Sequence, residues 1–157
     1  MSLATVRAFF AERAPDIEVI EHRDSTATVA LAAAAFGVEP GQIAKTLSLK
    51  VGDAVLLVVA RGDARLDNRK AKAAFGGKAR MLSAEEVVAF TGHPVGGVCP
   101  FGLAQPLPVY CDVSLRAFDV VLPAAGSTNS ALRITPERLA ELTAAAWVDV
   151  CQDLTQT

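Results

Sequence analysis

Apolar and polar positions alternate residue by residue through Lys45-Thr46-Leu47-Ser48-Leu49-Lys50-Val51, the pattern of a strand. Lys45 shares one face with Leu47, Leu49 and Val51, while Thr46, Ser48 and Lys50 share the other. Gly52-Asp53 predicts a turn. Val55 to Ala60, apolar at every position, predicts the second arm of a hairpin and a central strand covered on both faces. Further short strands are expected at Ile17 to His22, Lys78 to Leu82, Leu107 to Asp112, Phe118 to Ala124, Ala131 to Ile134 and Trp147 to Val150.

Helical spacing and capping residues predict the rest. Ser2 is placed to cap a helix with Leu3, Val6 and Phe10 on one face, and Pro15-Asp16 breaks it. Thr28 opens an alanine-rich helix that ends at Phe36 before Gly37. Asp67 caps a basic helix that stops at Gly76-Gly77. Ser83 and Glu86 form a capping box, and Thr135-Pro136 starts a last helix. Strands outnumber helices and are joined partly by hairpins, so the fold class is α+β rather than a doubly wound parallel sheet.

Length and composition narrow the function. The 157 residues suit one domain, spanning 1–157, and 52% hydrophobic with 20% charged residues excludes disorder. A formal net charge of −2 argues against a protein that grips duplex DNA, so nucleic-acid contact is expected to be local, such as a strand end. No apolar run is long enough for a membrane span, so no membrane partner and a cytoplasmic location are expected. Cys99, Cys111 and Cys151 form no CxxC pair and the only histidines are His22 and His93, so neither a metal site nor a cofactor is expected.

Several residues carry candidate chemistry. Lys45 is a cation at the edge of an apolar face; it either snorkels to solvent or waits at a pocket mouth for an anion. Pro94-Val95-Gly96-Gly97-Val98-Cys99-Pro100-Phe101-Gly102 is either a tight connection or a loop that aims backbone N–H groups at an oxyanion. Gly126-Ser127-Thr128-Asn129-Ser130 is either a polar turn or a hydrogen-bonding rim. Cys99 would be a nucleophile only if His93 folded back onto it. His22 is either an ordinary surface histidine or part of a pocket wall. Arg61, Arg65, Arg69, Lys70, Lys72, Lys78 and Arg80 concentrate positive charge and suit a phosphate-contacting flank.

Gln42-Ile43-Ala44-Lys45-Thr46-Leu47, Arg65-Leu66-Asp67, Val95 to Gly102 and Ala125-Gly126-Ser127 follow one another in an order and spacing that resembles the YbaK/EbsC family of aminoacyl-tRNA editing domains. That family is related to the insertion domain of bacterial prolyl-tRNA synthetase. The resemblance runs from about Asp24 to Val150 and implies a barrel-like mixed sheet of about six to seven strands with helices around it. It implies hydrolysis of the ester on a mischarged tRNA, often tRNA for proline, at the acceptor end, with prolyl-tRNA synthetase a candidate partner. It places Lys45 on the substrate and the amides of Gly96 and Gly97 on the scissile carbonyl. His22, Thr46, Val98, Cys99, Pro100, Gly126 and Ser127 then line the amino-acid and ribose pocket. No side-chain nucleophile is needed, because a water attacks. Many relatives carry serine where this chain has Cys99.

Overall fold

The computed structural model describes residues 2–153. Helix α1 (Ser2–Arg13) buries Val6 and Phe10. Ser2 does not cap it: Ser2 is its first residue, and the hydroxyl meets Nδ1 of His93. Strand β1 (Ile20–Glu21) is shorter than the expected Ile17 to His22. Helix α2 (Val29–Phe36) starts where expected, with the Leu31 amide donating to the Thr28 hydroxyl at 3.1 Å, and closes on Gly37. After a 3₁₀ turn over Pro40–Gln42 come β2 (Ile43–Val51) and β3 (Ala54–Arg61).

Asp67 accepts from the Arg69 and Lys70 amides and opens α3 (Asn68–Phe75). Then follow β4 (Ala79–Met81) and α4 (Ala84–Thr91), whose capping box closes in both directions. The remaining elements are β5 (Val109–Asp112), β6 (Leu122–Pro123), β7 (Ser130–Ala131), α5 (Pro136–Thr143) and β8 (Ala146–Val148). The expected strands at Phe118 to Ala124 and Ala131 to Ile134 shrink to two residues each. Proline 123 has no N–H to give a ladder, and the expected hairpin survives only as the bridges Val121↔Ile134 and Ala124↔Ala131.

The main sheet runs β4-β2-β3-β5-β8, with β6 also on β2. It is mixed: β2 is antiparallel to β3 and β4 and parallel to β6, while β3, β5 and β8 are parallel. It is open, with β4 and β8 at its ends, which corrects the barrel-like expectation. A separate two-stranded sheet joins β1 to β7.

Strand β3 is the buried centre. Leu57 and Val59 pack with α1, α5 and Phe101 on one side, and Leu56 and Val58 pack with Ala71 of α3 on the other. The polar face of β2 therefore does not look into solvent. Ser48 lies opposite Leu57 and is 4% exposed. On the outer edge of β2, β6 covers Ile43 and Ala44, and β4 covers Leu49 to Val51. Between them no strand pairs with Lys45 to Leu47 on that side among the described residues.

Candidate active site

A cavity of about 370 Å³ opens at that uncovered stretch of β2. Its floor is Ala44, Lys45, Thr46 and Ser48. Thr28, Val29 and Ala32 of the α2 end form one wall, and Met81, Leu82 and Val87 form another. Val95, Gly96 and Val98 cross over it, and Leu122, Ala124 and Ser130 close the remaining side. The walls are mainly apolar. Hydroxyls and main-chain groups supply the polarity, with Lys45 at the edge; no His, Asp, Glu or Cys belongs to the lining.

The glycine loop is shaped by close packing. Gly96 has φ 91°, and a Cβ there would lie 2.8 Å from the Ala27 Cβ. A Cβ on Gly97 would lie 2.8 Å from the Ser127 backbone. The Gly97 N–H donates to the Pro94 carbonyl, and its own carbonyl accepts from the Gly126 N–H, each at 2.9 Å. Gly97 and Gly126 thus tie the loop to the turn, and Ser127 Oγ reaches Ser130 Oγ at 2.6 Å. The N–H groups of Gly96 and Val98 have no partner among the described residues. The same holds for the Val95 N–H, so of the loop amides it is that of Gly97 which is spent inside the loop.

Lys45 lines the cavity, but strand alternation sends its side chain to the face opposite Thr46 and Ser48. There its ammonium donates to the Ala64 carbonyl. Burial lowers its pKa from the ordinary lysine value, with the neighbouring Arg65 adding to the effect and Cys151 and Asp63 opposing it. It forms no ion pair with a carboxylate among the described residues.

Six predicted site residues lie outside the lining: Gly97, Gly126 and Ser127, which tie the loop to the turn, and His22, Cys99 and Pro100. His22 directly follows β1, where its carbonyl accepts from Asn129 Nδ2 at 2.9 Å and its ring packs edge-on to Phe36. Cys99 and Pro100 are buried beneath the loop. His93 does fold back onto Cys99, with Nε2 3.6 Å from Sγ. Nε2 also lies 2.7 Å from the Phe101 carbonyl, which can only accept, so Nε2 carries the proton and cannot take one from the thiol. Burial pushes the Cys99 thiol up to about 12. This pair is a packed core contact with no thiolate. Among the described residues no group of three potential ligands could hold a metal.

Sequence reasoning missed most of the walls: Thr26 to Val29, Ala32, Ser48, the β4–α4 junction, Leu122, Ala124 and Ala131, although it singled out Ser130 as part of a polar rim. One signal was present for Ser48, a short hydroxyl on a strand next to a fully apolar one. Of the basic cluster, Arg61, Lys70 and Arg80 are paired with Asp63, Asp149 and Glu86. Arg65, Arg69, Lys72 and Lys78 make no side-chain ion pair among the described residues.

Residues 23–142, which hold the whole cavity, match the family model of the aminoacyl-tRNA editing domain. The chain belongs to the aminoacyl-tRNA editing domain family. Within it, the uncharacterized protein YwhH of Bacillus subtilis is 51% identical over 98% of this chain and 99% of its own. EbsC of Enterococcus faecalis, put forward as a Cys-tRNA(Pro)/Cys-tRNA(Cys) deacylase, is 31% identical over 75% of this chain and 73% of its own. A proline–tRNA ligase of Shouchella clausii is 35% identical over 74% of this chain, which spans 21% of that enzyme. A solved structure put forward as a trans-editing enzyme for prolyl tRNA synthetase superposes with a TM-score of 0.90 at 36% identity, covering 97% of this chain and 98% of that one. Editing domains of this family deacylate aminoacyl-tRNA, and the open six-stranded sheet here is that of the solved relative.

Proposed function

We propose that this protein is a trans-acting deacylase that hydrolyses the ester of a mischarged tRNA, with tRNA(Pro) carrying a small residue such as alanine, cysteine or serine as its substrate. The observation that carries this reading is the cavity itself. It lies on an unpaired stretch of strand edge, and the loop crossing it offers the free N–H groups of Gly96 and Val98. The ester carbonyl would sit beneath those amides. Water adds to that carbonyl, the bond from acyl carbon to ribose oxygen breaks, the ribose oxygen takes a proton, and the amino acid leaves as its carboxylate. No carboxylate, imidazole or thiol lines the cavity, and Lys45 donates to the Ala64 carbonyl, so the reaction relies on positioning and on stabilising the oxyanion, with a substrate hydroxyl or amine relaying the proton.

Lys45 is assigned to the anionic acceptor end. Among the described residues its hydrogen-bond partner is a main-chain carbonyl and no carboxylate pairs with it directly, although Asp63 lies near enough to favour its charge. Gly97, Gly126 and Ser127 hold the loop over the cavity. The unpaired Arg65, Arg69, Lys72 and Lys78 suit the phosphates of the acceptor stem, and prolyl-tRNA synthetase is the protein partner to test. Charged tRNA places the activity in the cytoplasm.

The test is deacylation of a panel of mischarged tRNAs, with Lys45→Ala beside the wild type. The variant is expected to lose activity by about hundredfold or more while its melting temperature stays close to that of the wild type. A folded Lys45→Ala protein that deacylates at the wild-type rate would remove Lys45 from the site. The absence of a general base from the lining also fits a module that binds the acceptor end without turnover. Binding with every ester left intact would select that second reading.

A further inference from the structure

The cavity floor holds two hydroxyls that the fold leaves unanswered. Ser48 is 4% exposed and makes no side-chain hydrogen bond among the described residues, although it lines the cavity. Thr46 Oγ1, two residues away on the same face of β2, is buried and has no partner among the described residues. Around them the walls are Leu82, Val87 and Val98. A buried hydroxyl without a partner costs about 1–3 kcal/mol, and neighbouring protein groups engage the other hydroxyls nearby: Thr28 accepts from the Leu31 amide of α2, and Ser130 accepts from the Ser127 hydroxyl. The polar groups of Ser48 and Thr46 are thus built into an apolar site with no protein partner.

We infer that Ser48, with Thr46 beside it, forms a specificity subsite for the side-chain hydroxyl of a β-hydroxy amino acid, so that seryl or threonyl esters are preferred over alanyl esters. This rests on the proposal that an aminoacyl 3′ end occupies the cavity. The chemistry narrows the class. No carboxylate or imidazole lines the cavity, so a cationic side chain finds no counter-charge. A methyl group leaves both hydroxyls unpaired. A thiol is a weak donor and a weak acceptor, whereas a hydroxyl both donates and accepts well. Sites that hydrogen-bond a substrate hydroxyl reject the analogue lacking it far more strongly than apolar pockets separate homologues.

The experiment measures binding and hydrolysis separately. Binding is read with adenosine carrying serine or alanine through a non-hydrolysable 3′-amide, and hydrolysis with seryl- and alanyl-tRNA(Pro). In wild-type protein the seryl compound is expected to bind about tenfold or more tighter than the alanyl one. In Ser48→Ala that ratio is expected to fall towards one, with the melting temperature preserved. Equal binding of the two amides by wild-type protein overturns the inference, and so does a Ser48→Ala ratio equal to that of the wild type. Seryl-selective binding without hydrolysis of any ester keeps the subsite and overturns the deacylase reading.

Discussion

His93 carries its proton on Nε2, because the Phe101 carbonyl beside it can only accept. Nδ1 is then bare and faces the Ser2 hydroxyl. The ring is fully buried, and burial lowers its pKa below the ordinary histidine value of 6.5. The unfolded chain therefore binds a proton at acid pH that the folded chain refuses. Stability is complete above about pH 6.5 and declines as pH falls towards the folded pKa, by up to about 1.4 kcal/mol per pH unit. Urea unfolding between about pH 7 and pH 5 should show this decline. A His93→Gln variant, which keeps a donor for the Phe101 carbonyl, should flatten it. An equally steep acid limb in that variant would shift the cause to another group. At the same scale, Cys99 shows why adjacency is insufficient for catalysis: the imidazole is within 3.6 Å, but it presents the wrong end of a hydrogen bond.

Among the elements, α2 and β2 each serve fold and site together. Thr28 caps α2 and also lines the cavity, so the same hydroxyl fixes the wall and faces the ligand space. Strand β2 is long enough to pair with β3 throughout, while β6 and β4 each cover only one end of its other edge. The short lengths of those two strands create the gap. Helix α5 ends less favourably. Ala144 takes φ 54° and ψ 36°, the one positive-φ non-glycine residue described. A left-handed non-glycine residue costs about 1–2 kcal/mol, and glycine gives part of that back through a more flexible unfolded chain. Ala144→Gly is therefore expected to stabilise the protein by up to about 1 kcal/mol, read as a melting temperature raised by a few degrees. A lowered melting temperature would show that the Ala144 methyl packs usefully.

For the whole molecule, charge sets the reach of any nucleic-acid contact. The net charge is −2, and part of the basic cluster is spent on internal pairs with Asp63, Asp149 and Glu86. Within that cluster Arg65, Arg69, Lys72 and Lys78 make no ion pair among the described residues, and Lys45 lies at the cavity. Neutralising about four phosphates would give a log–log salt slope for tRNA binding no steeper than about −3 to −4. Binding measured across a salt series checks this. A much steeper slope would show that cations outside this cluster also contact phosphates. Among the described residues no helix is long and apolar enough to cross a membrane.

What could be read from the chain alone was local. The caps at Thr28, Asp67, Ser83 and Thr135 are satisfied by amides two or three residues away, so a short window contains the whole interaction. The β2–β3 hairpin is closed by a two-residue turn and its own alternation. The order of Lys45, the glycine loop and Gly126-Ser127 was also enough to identify the family resemblance. The shape of the site was not legible. Its floor, walls and roof come from segments spread between Thr26 and Ala131, and only long-range pairing shows that β2 keeps an unpaired stretch. Alternation placed Ser48 and Thr46 on a polar face, which by itself reads as solvent. Tertiary packing covered that face with α4 and the glycine loop, burying the Thr46 hydroxyl without a partner and leaving Ser48 facing the cavity. It also sent the Lys45 ammonium to the Ala64 carbonyl and closed His93 over Cys99, because contacts between residues distant in sequence depend on how the sheet is assembled.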